Sequence, residues 1–118
     1  MNAAQVDFQQ LRIKHILYKS KVRSVLFGGS FDEAFFSPSG PVNTWFTSVG
    51  MIKYRQEVEM TELARVHQDL SSTASNLFQL YKFGKIDQAY DGLKLIEKKS
   101  EQFLLLLAQL EDRLKERV

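Results

Sequence analysis

Leu93, Ile96, Ser100, Phe103, Leu107, Leu110 and Leu114 alternate in steps of three and four without a break over three heptads. This spacing lines them along one side of an α-helix and is incompatible with the period-two alternation of a strand. Leu104, Leu105 and Leu106 carry apolar surface around the flanks of the same segment. A helix that is apolar around most of its middle needs more than one neighbour, so this segment, predicted over 87–117, belongs inside a helical assembly.

Glycine and proline mark where the neighbours begin and end. Five of the chain's six Gly and two Pro fall within 28–41, and the others are Gly50, Gly84 and Gly92. Before that cluster, 6–27 reads as an amphipathic helix. Its stripe runs through Leu11, His15, Tyr18, Val22 and Val25, and is widened by Ile13, Ile16, Leu17 and Leu26. Its polar face sets Arg12, Lys14, Lys19, Lys21 and Arg23 against one acid, Asp7. Gly28 and Gly29 stop it.

Residues 28–43 read as an irregular loop, and the apolar cost of Phe31, Phe35 and Phe36 predicts that it lies down over the core. Asn43 then caps a short helix over 44–49, anchored by Trp45 and Phe46 and ended by Gly50. A long helix over 54–83 follows. Leu63, Val66, Leu70, Leu77 and Leu80 form its seam, flanked by Met60, His67, Ala74 and Tyr81. The pattern therefore predicts a single all-α domain over 1–118. Its expected form is an antiparallel four-helix bundle, with three long helices and one short helix after the loop.

Composition removes whole classes of function. The 118 residues include no cysteine, which excludes a disulfide framework, thiolate zinc fingers, iron–sulfur clusters and cysteine nucleophiles. Sixteen basic against 14 acidic residues leave a net charge of +2, too small to point to nucleic acid. No apolar run reaches the roughly 18–20 residues of a membrane span, and no secretory leader opens the chain, so a cytoplasmic location is expected. Nucleophile elbow, phosphate loop and dinucleotide fingerprint are all missing, and no enzyme activity is expected.

The two histidines are the remaining chemistry. His15 lies between Leu11 and Tyr18, and His67 between Leu63 and Leu70, so both face inward. Buried imidazoles need partners for their nitrogens. Either they are hydrogen-bonded core groups, or they are two ligands of a metal site spanning two helices. A tetrahedral site would need further ligands, with Asp32, Glu33, Glu59 and Glu62 as candidates.

The order of these motifs resembles the chemoreceptor zinc-binding (CZB) domain, a bacterial helical bundle attached to chemoreceptors and diguanylate cyclases. His15 through Val22 resembles that family's first-helix pattern of His, two residues, an aromatic and a basic residue. Gly40 to Trp45, with Gly50 after it, stands where the family has Cys-x-Leu-Gly-x-Trp and a glycine. Leu63 to His67 occupies the His-x-x-x-His position, and Ser100 precedes the leucine-rich end of the last helix. The likeness covers about 8–114.

It implies a zinc held by one Cys and three His. Carried over position by position, His15 and His67 keep two ligands, while Gly40 and Leu63 replace the cysteine and a histidine. Asn43 also stands in place of the family's glycine. The resemblance thus implies a sensory and regulatory domain for signal transduction or chemotaxis that is diverged at its metal site, with zinc binding lost or weakened. Trp45, Leu63 and Tyr18 serve as core anchors. The expected partner is a second copy, joined through the long third and fourth helices, with an attached or separate output domain. The alternatives are a retained zinc or other metal sensor using His15 and His67 with non-cysteine ligands, and a free-standing adaptor whose basic first helix binds an acidic partner.

Overall fold

A computed structural model describes residues 2–115, and every described element is helical. Three long helices, α1 (Ala3–Leu26), α5 (Val58–Lys82) and α7 (Leu93–Lys115), pack against one another. Four short pieces connect them: α2 (Glu33–Phe36), α3 (Pro41–Trp45), α4 (Met51–Lys53) and α6 (Ile86–Asp91). A single π-helical turn, Phe46–Gly50, joins α3 to α4. The molecule is elongated, 51 × 24 × 21 Å.

α1 begins earlier than its apolar stripe suggests because Asn2 and Gln5 form a reciprocal cap. Gln5 N–H donates to Asn2 Oδ1 at 2.8 Å, and Asn2 N–H donates to Gln5 Oε1 at 3.0 Å. Gly28 and Gly84 follow the ends of α1 and α5 as expected, both at positive φ. The connection over 28–43 is partly ordered into α2, whose N-terminus Asp32 caps by accepting from Phe35 N–H at 3.1 Å. The expectation that this segment covers the core holds for Phe35, which is buried, and for Phe36, which meets Tyr18 and Phe78 edge-on. Phe31 stacks on Phe36 but stays about half exposed.

Three sequence expectations are corrected. The short helix starts at Pro41, with Gly40 before it, so Asn43 is inside the helix and caps nothing. Proline at the first helical position has no N–H to leave unpaired, and so it competes well with an asparagine cap. The helix predicted over 87–117 is broken at Gly92, between α6 and α7. A Cβ there would stand 2.1 Å from Leu77 Cδ2, so the missing side chain lets the chain press against α5. The predicted end at Arg117 lies outside the described residues.

The third correction concerns α1. Ile13, Ile16 and Leu17 do not widen its core stripe; they are 60%, 50% and 45% exposed. Asp7, expected on the polar face, is buried. By contrast Ile96, Ser100, Phe103, Leu107, Leu110 and Leu114 are all buried, and Leu93 is partly so. The unbroken register of α7 has α1 on one flank and α5 on the other. Arg12 and Lys19 of α1 pair with Glu111 and Glu97, whereas Asp69 of α5 pairs with Lys99 and both Glu57 and Glu59 pair with Arg113.

Candidate functional site

The two histidines meet where the three long helices meet. His15 on α1 is fully buried and His67 on α5 nearly so. Their rings share one neighbour, Phe103 of α7. His15 stacks on it with centroids 4.2 Å apart and planes 5° from parallel, and His67 meets it edge-on at 6.5 Å.

Each imidazole has a hydroxyl partner. His15 Nε2 lies 2.8 Å from Ser100 Oγ, joining α1 to α7. Tyr18 O–H donates to Ser71 Oγ at 3.1 Å, and Ser71 Oγ lies 3.4 Å from His67 Nε2. Because Ser71 accepts from Tyr18, its own proton is free to point at His67, and this relay ties α1 to α5. Tyr18 also packs its ring edge-on against His67 at 5.0 Å. The Nδ1 atoms of both histidines are buried with no hydrogen-bond partner among the described residues.

Burial without a nearby acid keeps both rings neutral. The pKa of His15 is lowered to about 4, chiefly by desolvation and then by the charges of His67 and Lys19. Desolvation alone lowers His67 to about 4. Burial raises the Tyr18 phenol, an effect opposed by its bond to Ser71. At neutral pH the centre therefore carries no charge. It can accept hydrogen bonds, but as a proton acceptor it is weak.

The zinc implied by the family resemblance does not fit this centre. Leu63, one of the carried-over ligand positions, is fully buried hydrocarbon in the core. Gly40, the cysteine position, has no room for a side chain, since a Cβ would lie 2.1 Å from the backbone oxygen of Phe35. Two of the acidic candidates are engaged elsewhere: Asp32 caps α2 and lies 3.8 Å from Lys21, and Glu59 pairs with Arg113 at 2.5 Å. Glu33 belongs to the first turn of α2 and Glu62 to α5. Among the described residues no three His, Cys, Asp or Glu side chains gather where a metal could sit.

A second polar cluster, around Asp7, has no counterpart in the sequence reading. Asp7 Oδ2 accepts from Tyr54 O–H at 2.6 Å and from Lys53 Nζ at 3.1 Å. Trp45 Nε1–H donates to the Asp7 backbone oxygen at 3.1 Å, while Phe8 packs between the Trp45 and Tyr54 rings. This network fastens the segment from α3 to α4 onto α1. Burial and the Asp7 carboxylate together raise the Tyr54 phenol well above its ordinary value.

Ser71, Phe103 and Ser100 complete the histidine centre. A serine on an otherwise apolar seam was the visible signal for Ser100, because a core hydroxyl needs a buried partner. Nothing in the sequence distinguished Asp7 from a surface acid. Compared with protein-family models, curated proteins and solved structures, the chain has no significant match in any of the three.

Proposed function

We propose that this chain is a regulatory interaction domain of the CZB type, an antiparallel four-helix bundle that acts as a homodimer and has lost its zinc site. It performs no catalysis, works in the cytoplasm, and passes a helix rearrangement to an attached or separate output domain. Opposed helix directions are supported by the ion pairs. Arg12 meets Glu111 and Lys19 meets Glu97, so α7 descends as α1 ascends, and Glu59 and Asp69 of α5 meet Arg113 and Lys99 in the same reversed order.

One observation carries the reading: two imidazoles stay in the core while Leu63 and the closed space at Gly40 stand at the other two ligand positions. A site built this way braces helices through hydrogen bonds and ring packing instead of through a metal. The experiment is a calorimetric zinc titration of chelator-stripped protein, with His15→Ala alongside. No binding tighter than about 10 μM is expected, since two imidazoles leave half a tetrahedron unfilled. Tighter binding abolished by His15→Ala would overturn the loss of the site. It would instead support a retained metal sensor, the reading favoured by the two unpartnered Nδ1 atoms. Sedimentation at micromolar concentration tests the dimer, and a clean 13.7 kDa monomer refutes it.

A further inference from the structure

Beyond the end of α1, Phe31 meets Phe78 of α5 with ring centroids 5.4 Å apart and planes 74° from parallel. Its stack on Phe36 still leaves it 53% exposed. Beside it opens a cavity of about 510 Å³, walled by Phe31, by Val25 of α1, and by Ser75, Phe78 and Lys82 of α5. Those three α5 residues share a face because they are spaced by three and four. Tyr81 completes the wall. Apolar walls with a few polar groups, at this volume, are the usual build of a small-ligand site.

Two other clefts of the molecule differ from it in charge. The cleft beside α3 has both Lys14 and Asp32 in its lining, and the one beside Ser71 is lined by no charged residue. Here a single cation, Lys82, stands with no acid in the lining, and among the described residues no acid pairs with it. The side chains of Ser75, Gln79 and Tyr81 around it likewise make no hydrogen bond among the described residues. The fold itself uses none of these polar groups.

Their chemistry selects the occupant. A lone cation ringed by hydroxyl and amide donors suits an anion with several acceptor positions, which a carboxylate supplies. Phe31 and Phe78 form a corner in which a flat ring lies face to one and edge to the other, the arrangements aromatic pairs prefer. Phe78 and Lys82 lie one helical turn apart, about 5–6 Å, which matches a ring joined to its carboxylate by a short chain. A neutral aromatic would leave Lys82 unpaired, and a straight aliphatic acid would leave the ring corner unmatched.

We infer that this cavity binds a small aromatic carboxylate, its ring against Phe31 and Phe78 and its carboxylate on Lys82. The inference goes beyond the regulatory reading by giving the chain a ligand, and it stands or falls whatever the oligomeric state.

The test is isothermal titration of the full chain with 3-phenylpropionate as probe, beside 3-phenylpropanamide and octanoate. The variants are Lys82→Met, which keeps an apolar stem and removes the charge, and Phe31→Ala, with Lys14→Met as the control at the cleft beside α3. Phe31 and Lys82 are exposed and Lys14 is partly so, and circular dichroism establishes that each variant is folded. The expected Kd for phenylpropionate is below about 5 mM, a scale set by the size of the probe. Binding should weaken at least about fivefold in Lys82→Met and in Phe31→Ala, and stay unchanged in Lys14→Met. The amide and octanoate should each bind at least about fivefold more weakly than phenylpropionate. No saturable binding of phenylpropionate at that scale overturns the site. Binding unweakened in either Lys82→Met or Phe31→Ala, or weakened only in Lys14→Met, overturns its placement. An amide bound as tightly as the acid overturns the carboxylate, and octanoate bound as tightly overturns the aromatic ring.

Discussion

The chain keeps two buried polar centres that handle the same problem in opposite ways. At the Asp7 centre a carboxylate is held inside the fold by a lysine and a tyrosine, and a tryptophan N–H holds the adjoining backbone. At the histidine centre two titratable rings are buried with no acid beside them, and they remain neutral. The first centre surrounds its carboxyl group with a lysine and a tyrosine hydroxyl; the second gives up its charge because nothing offsets desolvation. A buried ionisable group is therefore informative only together with its partners. Asp7 fastens a connecting segment, whereas His15 and His67 join the three long helices at their crossing.

Removing the ring shared by the two histidines should separate the centres most sharply. Phe103→Ala deletes a fully buried aromatic that both imidazoles touch, and about 3–5 kcal/mol of stability should be lost in urea denaturation. The near-ultraviolet signal of Trp45, at the other centre, should persist in the residual native state.

Acid should also act on one centre through its titration. A folded pKa lowered to about 4, against an unfolded value near 6.5, means that the unfolded chain binds protons first. The stabilising contribution is fully present above about pH 6.5 and is lost progressively as pH falls towards 4. Between pH 7 and pH 5 the two histidines together should cost on the order of 3–4 kcal/mol. A double variant, His15→Gln with His67→Gln, should flatten that part of the profile. An unchanged slope would mean that the rings are not buried neutral.

Smaller losses should distinguish the remaining contacts. Asp7→Ala leaves the Tyr54 hydroxyl and the Lys53 ammonium without their acceptor and should cost about 1–3 kcal/mol, with the pH 5–7 slope unchanged. Gly40→Ala forces a methyl towards the Phe35 backbone oxygen and should cost a similar 1–3 kcal/mol. A neutral or stabilising outcome would show that the cysteine position can reopen. Tyr18→Phe removes one hydrogen bond to Ser71 and should cost about 1 kcal/mol.

Much of the architecture was legible because helical periodicity is local. The α7 seam, the inward stripe of α1 and the burial of His15 and His67 follow from spacing, since residues three and four apart share a face whatever lies opposite. The spacing could not say how wide the inward stripe of α1 is, and it counted Ile13, Ile16 and Leu17 in it. Leu11 and Ile13 are equally hydrophobic, and only packing against α5 and α7 separates them. It also missed the break at Gly92, a close approach to Leu77 across 15 residues of chain, and the Pro41 start that displaced Asn43 as a cap.

By itself, then, the sequence determined that the chain is helical, where its long helices lie, and that two imidazoles and no thiol enter its core. Those properties depend on side-chain type and near-neighbour spacing. Tertiary structure alone decided that Asp7 lies inside, that Ser71 and Ser100 reach the histidines, that Gly40 has no room for a ligand, and that Ile13, Ile16 and Leu17 face outward. Each of these depends on atoms far apart in the chain, and a local pattern carries no information about what will stand across from it.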